Sequence, residues 1–385
     1  MSAVGPFSID AYLPSFRDIE HAFNASPTLV QQTLTAYILA FSAMTLWQGP
    51  LSDAYGRRRV TLVMLATFTL ASVGCMCAWN IEVLLGFRVL QGLSAGAGMI
   101  IGRAMVRDLF DGADARRLMS RITAVFAIAP AVAPILGGWL QVWFGWRSVF
   151  AFLTLFATSL WFVCWRTLPE TLPPERRHPL QPGSLLRGYW QAMSSPRFMA
   201  LALALTLNFS AVFVYIVSAP AFVLNLLHRR ETEFFWLFGP IAAGMLTGTS
   251  LAGRLAGRWS NLRTLALAYL IMALAAIGNF AWHWAQPASL PWSVLPLAVY
   301  VFGTMVAMPS LTLMGLDLFP HRRGLASSCQ GFVQTLSNAA VTGLIAPMLW
   351  GSPRTLSGGM LTVFSIGGAA FAAYIVSQRP KACMV

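Results

Sequence analysis

The chain has 385 residues, of which 57% are apolar and only 10% charged, with a net charge of +13 and a mean hydropathy of +0.65. An ordinary soluble domain carries about 25% charged residues, so a soluble protein of this length could not cover its surface, and the composition points to lipid as the solvent. Inside a bilayer each spanning segment must be helical, because no water satisfies an open backbone.

In chain order the first segment is "MSAVGPFSIDAYLPSF". It is apolar, but as a helix it spans only about 24 Å against a hydrocarbon core of about 30 Å. No basic n-region precedes it, so it is not a signal peptide. It reads as the outer portion of a helix 1 whose inner turns are absent. Eleven full-length apolar segments follow, at about 29–48, 60–79, 82–105, 119–143, 147–166, 198–220, 234–256, 262–284, 292–316, 324–349 and 357–377. Together they predict an all-α membrane protein of twelve helices.

The basic residues alternate between the two sides of these segments. One side and the C-terminal tail hold or border 20 of the 26, among them Arg57, Arg58, Arg59, Arg116, Arg117, Arg121, Arg176, Arg177, Arg258, Arg263, Arg322, Arg323 and Arg379. The other side holds five, Arg17, Arg147, Arg229, Arg230 and Arg354, and Arg88 alone lies well inside a segment. The positive-inside rule places the arginine-rich side and the C-terminus in the cytoplasm of a bacterial-type inner membrane. Positive charge spread over short loops is a topology signal and speaks against nucleic acid as a partner.

Residues 167–197, "TLPETLPPERRHPLQPGSLLRGYWQAMSSPR", are polar and Pro-rich and divide the chain. The predicted domains are an N-terminal six-helix bundle at 1–166, a cytoplasmic linker at 167–197 and a C-terminal six-helix bundle at 198–385. "GPLSDAYGRRR" at 49–59 is weakly echoed by "GRLAGRWSNLR" at 253–263. A repeat at that period implies two pseudo-symmetric bundles with a route between them. Cys75, Cys77, Cys164, Cys329 and Cys383 read as packing residues, and neither they nor the five histidines show metal spacing. No phosphate loop or nucleophile elbow is present, so neither ATP-driven transport nor an enzyme is expected, and no cofactor is called for.

The sequence also resembles a known family. "GPLSDAYGRRR" resembles the helix 2–3 loop signature of the major facilitator superfamily, G-x-L-x-D-x-x-G-R-R, at Gly49, Leu51, Asp53, Gly56, Arg57 and Arg58. The helix 4 signature R-x-x-Q-G is matched at Arg88, Gln91 and Gly92. "APAVAPILGG", 129–138, resembles the helix 5 antiporter motif, with Ala129 and Ala133 in place of glycines and with Pro130, Pro134, Gly137 and Gly138 present. "SIDAYLP", "TAYILAF", "LPETLPPERR" and "LDLFPHRRGLASS" narrow the resemblance to the Bcr/CflA type of drug:proton antiporter, over essentially the whole chain. The resemblance implies a monomeric twelve-helix facilitator that exports small amphipathic compounds against protons by alternating access. A metabolite exporter or an uptake symporter would share the fold.

Site residues follow from the residues and the resemblance together. Asp10 alone among the 13 acids sits amid apolar residues far from a helix end. A central charge costs about 2.5–3.5 kcal/mol on insertion scales, so an intramembrane acid is a functional candidate by default. A carboxylate there can trade a proton for a cationic or polar substrate. Arg88 could snorkel to the interface, or face inward and pair with Asp10 or a backbone carbonyl, as the matching family arginine does in proton coupling. Asp53 at a helix end can pair with a loop arginine, and Gly49 and Gly56 allow close approach and a tight turn. In the family this cluster is a latch, with Asp108 at the inner end of helix 4 a candidate partner. Asp317 reads as a structural helix terminus. The antiporter segment would bend helix 5 and let a neighbour approach. Tyr12, Tyr37, Asn208, Phe209, Phe213, Tyr215, Gln330 and Gln334 are candidates for an aromatic, adaptable substrate cavity.

Overall fold

The computed structural model describes residues 1–110, 112–177 and 179–378, without the side chains of residues 112, 113, 115, 116, 120, 121, 123, 124, 126, 127, 176 and 321. Arg379, Lys381 and Cys383, and the side chains of Arg116, Arg121 and Arg176, therefore lie outside the described residues. Sixteen α-helices follow one another. They are α1 Val4–Asp10, α2 Phe16–Phe23, α3 Pro27–Tyr55, α4 Arg57–Met76, α5 Ile81–Ala95, α6 Ala97–Leu109, α7 Gly112–Phe144 and α8 Arg147–Thr167 in the first half. The second half holds α9 Pro182–Met193, α10 Pro196–Val217, α11 Phe235–Leu255, α12 Asn261–Ala285, α13 Leu295–Asp317, α14 Arg323–Ala340, α15 Ala346–Leu349 and α16 Pro353–Gln378.

Among the described residues, ten helical stretches are long and apolar enough to cross a membrane. The 33-residue α7, whose Ile128–Phe144 part is a shorter apolar stretch, stands in the eleventh position. The short run α1–α2, interrupted by a single 3-10 turn at Leu13–Ser15, stands in the twelfth position.

Local chemistry explains the helix ends. Ser26 accepts from the Leu29 N–H at 3.2 Å, Asn80 from Val83 at 2.8 Å, Ser195 from Phe198 at 3.5 Å and Ser260 from Arg263 at 3.4 Å. Each is an N-cap that takes one of the donors a helix start leaves over, and Pro27 and Pro196 occupy first-turn positions that need no N–H. Gly56, with φ +96, turns α3 directly into α4.

Three elements depart from the continuous spans the sequence predicts. Helix 4 divides at Gly96 into α5 and α6. The helix expected to run to residue 220 leaves α geometry at Val217 and continues as a π-helical turn, Pro220–Leu226, and the helix at 324–349 carries a second π turn at Val341–Ile345. The polar linker contains a helix, α9, whose segregation of Tyr189 and Ala192 from Arg187 and Gln191 is hidden by its short length and flanking prolines.

Two bundles result. In the first, α3 packs on α5, and α4 on α5 and α8; in the second, α10 packs on α16 and α13, and α13 on α11 and α12. They meet where α3 lies along α14 and where α7 meets α11. The contact between them is partly backbone against backbone. A Cβ at Gly138 of α7 would strike the carbonyl oxygen of Glu231, and one at Gly343 would touch the Thr35 side chain.

Candidate functional site

The centre of the first bundle is built on Arg88. Its side chain is sealed from solvent, and its guanidinium lies over the rings of Tyr12 (4.6 Å) and Tyr37 (4.3 Å). It donates to the Ser8 carbonyl at 3.0 Å and to Oε1 of Gln91 at 2.8 Å, and Gln91 passes its own amide to Ser72 Oγ at 2.8 Å. Two aromatic faces and two hydrogen bonds replace water around the cation, and a desolvated cation–π contact is worth about 2 kcal/mol. Among the described residues, Nε and Nη2 of Arg88 have no hydrogen-bond partner. The helix 4 signature thus resolves into a physical unit: Arg88 is the cation, Gln91 its acceptor, and Gly92 the gap through which α5 meets α3, since a Cβ there would strike the Tyr37 carbonyl.

Asp10 closes α1 two residues beyond Ser8. It is 4% exposed, and among the described residues no hydrogen bond or ion pair engages it. Of the two inward partners open to Arg88 in the sequence, the structure uses the backbone carbonyl and leaves the carboxylate unpaired. Tyr12 and Tyr37 are further tied into the same layer, Tyr12 to Thr33 Oγ1 at 2.8 Å and Tyr37 to Ser8 Oγ at 2.5 Å. The segment that resembles the antiporter motif borders this layer. Gly137 of α7 faces helix 1 where a Cβ would strike the Ala11 carbonyl, next in sequence to Asp10. Pro130 and Pro134 lie inside α7, Pro134 buried and Pro130 half-buried.

The other substrate-cavity candidates lie on α10 and α14 of the second bundle. Asn208 is buried in the second bundle, donating to Tyr269 Oη at 2.9 Å, and Tyr215 accepts from Asn279 at 2.9 Å. Phe209 and Phe213 form a ring pair 5.9 Å apart. Gln330 donates to the Thr312 carbonyl at 3.5 Å, and Gln334 is half-buried. Asn208, Tyr215 and Gln330 are thus bonded within their own bundle, and Tyr12 and Tyr37 lie against Arg88.

At the arginine-rich end, Arg57 pairs with Asp53 and reaches Asp108 Oδ2 at 3.2 Å and Ser52 Oγ at 2.5 Å. The Glu170 carboxylate accepts from the Arg57 N–H at 2.9 Å and the Arg58 N–H at 3.3 Å, so it caps the start of α4. Arg58 donates to the Trp165 carbonyl at 2.7 Å. Gly56 is required twice over, by its positive φ and because a Cβ would lie 2.5 Å from Glu170 Oε2. Gly49 differs: a Cβ there would meet nothing within 4 Å, so close helix approach does not account for it. The expected pairing of Asp53 with a loop arginine and the place of Asp108 beside it are both present. Glu170 was not singled out from the sequence, although it stands in the quoted "LPETLPPERR". Asp317 pairs locally with Arg323 at 2.8 Å. Tyr189 of α9 donates to the Leu46 carbonyl at 2.7 Å, a contact between linker and α3, and burial first, then Cys329 and Asp53, push its hydroxyl up to about 12, so it remains a donor at neutral pH.

Polar contacts between bundles cluster at the arginine-poor end. Gln31 donates to the carbonyls of Val217 (3.4 Å) and Thr342 (3.2 Å), Gln32 to that of Gly343 (3.1 Å), and Arg17 to Asn225 Oδ1 (2.7 Å). Three of these four acceptors lie within the two π turns. Beside them is a cavity of about 240 Å³, lined by residues of both bundles, Phe16, Glu20 and Asn225 among them. Among the described residues no ion pair joins the bundles, and no group of three or more His, Cys, Asp or Glu could hold a metal ion.

The chain resembles known proteins throughout its length. It is 30% identical to the uncharacterized MFS-type transporter YdgK of Bacillus subtilis, over 90% of this chain and 86% of that protein. It is 26% identical to multidrug resistance protein D of Escherichia coli, over 95% and 90%. Its fold matches that of a bacterial homolog of the human lysosomal transporter Spinster, crystallised inward-facing and unoccupied, with a TM-score of 0.71 over 98% of this chain and 95% of that one at 16% identity. Residues 1–342 match the model of the Major Facilitator Superfamily, and the chain is a multi-pass membrane transporter of that family.

Proposed function

We propose that this transporter exports small amphipathic compounds, drugs among them, in exchange for protons across the inner membrane, with its C-terminus in the cytoplasm. The observation that carries the reading is Asp10: a buried carboxylate without an ion pair, one residue from the helix 1–α7 contact and two from the carbonyl that holds Arg88. A carboxylate locked to Arg88 could not change protonation state cheaply. One left free beside a fixed cation can bind either a proton or a cationic substrate, and the two compete. The relative named as a multidrug resistance protein supports a drug as the exported compound.

Alternating access assigns roles to the two ends. The four polar contacts at the arginine-poor end hold that side shut and are all neutral or singly charged, so each can break at modest cost. The Arg57 cluster at the other end stays within the first bundle and its linker, which leaves that bundle free to rock as a unit. A substrate entering from the arginine-rich side displaces the proton of Asp10, and the return stroke reloads it from outside. The test is drug efflux from proteoliposomes under an imposed pH gradient: Asp10→Asn abolishes gradient-driven export with binding retained, whereas export at the wild-type rate refutes the reading.

A further inference from the structure

We infer that α9 is a membrane-surface helix, its Leu186–Trp190 edge set into the bilayer at the arginine-rich end and Arg187 held against anionic lipid headgroups. The helix has three sides rather than two. Gly188, Tyr189 and Ala192 are buried against α10, α14 and the end of α3. Arg187, Gln191 and Ser194 are exposed and polar. Between these sides, Leu186 (54% exposed) and Trp190 (73% exposed) stand one turn apart on a single edge that touches no other part of the protein deeply enough to cover it.

A soluble linker has no reason to display tryptophan and leucine on one edge, whereas an interfacial helix needs that apolar edge beside a cationic one. Height in the fold supports the same occupant. Trp190 stands at the end of the molecule where Trp165, at the close of α8, and Trp259, just beyond α11, are also exposed. Trp79, Trp143, Trp284 and Trp292 are exposed at the opposite helix ends. Two girdles of exposed tryptophan mark the two membrane–water interfaces, and Trp190 belongs to the arginine-rich one. Charge is complementary: Arg187, Arg197 and Arg322 are exposed around α9, Arg322 donating to Gln191 Oε1 at 3.0 Å and Arg197 to the Ser377 carbonyl at 3.1 Å. Exposed guanidinium groups at this height suit lipid phosphates. Because α9 packs on the second bundle and bonds to α3 of the first through Tyr189, lipid that holds α9 also bears on the seam between the bundles.

The experiment uses the full chain without its native cysteines, reconstituted in phosphatidylcholine–phosphatidylglycerol vesicles, with efflux confirming the fold. Nitroxide labels on Leu186→Cys, Arg187→Cys, Trp190→Cys and Gln191→Cys are probed with oxygen, which partitions into lipid, and with a water-soluble nickel complex. Oxygen is expected to relax positions 186 and 190 more strongly, and the nickel complex 187 and 191. Equal nickel access at all four positions would overturn the inference, as would a label at 190 frozen and shielded from both reagents, the mark of a protein partner. Raising the phosphatidylglycerol fraction is expected to deepen position 190, and Arg187→Gln to remove that dependence. A depth indifferent to lipid charge would overturn the headgroup contact.

Discussion

Gln31 of the first bundle gives its side-chain amide to the carbonyl of Thr342 in the second, 3.2 Å away, inside a π-helical turn. A π turn departs from the regular i→i−4 ladder and is often found at functional positions. Here it aims backbone oxygens across the seam at Gln31 and Gln32. These contacts at the arginine-poor end set side-chain amides against main chain and can separate without leaving a buried charge.

Replacing both glutamines by leucine should bias the transporter toward opening at that end. Each neutral hydrogen bond contributes about 1 kcal/mol, so losing the three that the two glutamines make shifts the balance by about 3 kcal/mol, or roughly 150-fold in population. A cysteine placed at Ala221, on the wall of the neighbouring cavity, reports this through faster alkylation by an impermeant reagent added from outside. An unchanged alkylation rate would show that the glutamines do not hold the gate.

The Arg57 cluster makes a different forecast. Asp53→Asn should leave insertion intact, because the basic loop persists, yet slow transport by altering the balance between open forms. Arg57→Ala should do more harm, since it strands Asp53 and Asp108 and empties the buried side of the cluster, with a loss of about 1–3 kcal/mol in stability. Arg57→Lys should not restore it fully, because a single ammonium cannot fork between two carboxylates and a hydroxyl. Thermal midpoints and efflux rates of the purified variants decide the order; equal behaviour of Arg57→Ala and wild type would remove the cluster from the account.

Glycine substitutions separate contact from coincidence. Gly137→Ala and Gly92→Ala place a methyl against main-chain oxygen, of Ala11 and Tyr37 respectively, and overpacking of this kind costs about 1–3 kcal/mol. Gly49→Ala faces open space and should be tolerated. Gly137→Ala has the sharper functional expectation, because it displaces helix 1 beside Asp10: proton coupling should fail before expression does. Expression, drug efflux and substrate-induced proton release measured together test the ordering, and normal coupling in Gly137→Ala would argue against α7 as a neighbour of the proton site.

Much of this fold is legible in the sequence for a single physical reason. Lipid leaves so few options that length and hydropathy give the helices, and alternating arginines pair the loops. Asp10, Arg88 and Asp53 stand out by the same logic, as charges where charge is expensive. What composition does not reveal is geometry without a hydropathy signal. The π turns, one at the end of a predicted segment and one inside another, carry no hydropathy signature, and Gln31 and Gln32 look like ordinary residues near a helix start. Arg88 shows the limit from the other side: its burial is readable, but the choice of the Ser8 carbonyl over the Asp10 carboxylate depends on where the break in helix 1 leaves each group. The substrate candidates were picked for residue type, and residue type alone does not separate Tyr12 and Tyr37, held by Arg88, from side chains that face a substrate path.

The central claim is that the free carboxylate of Asp10 carries the exchanged proton, and one measurement tests it most directly: drug efflux from proteoliposomes driven by an imposed pH gradient, with substrate binding scanned from about pH 5 to 9. Asp10→Asn is expected to bind substrate independently of pH and to export nothing in response to the gradient, while Asp10→Glu, which keeps a carboxyl one methylene away, retains part of the activity. Gradient-driven export by Asp10→Asn at the wild-type rate would contradict it.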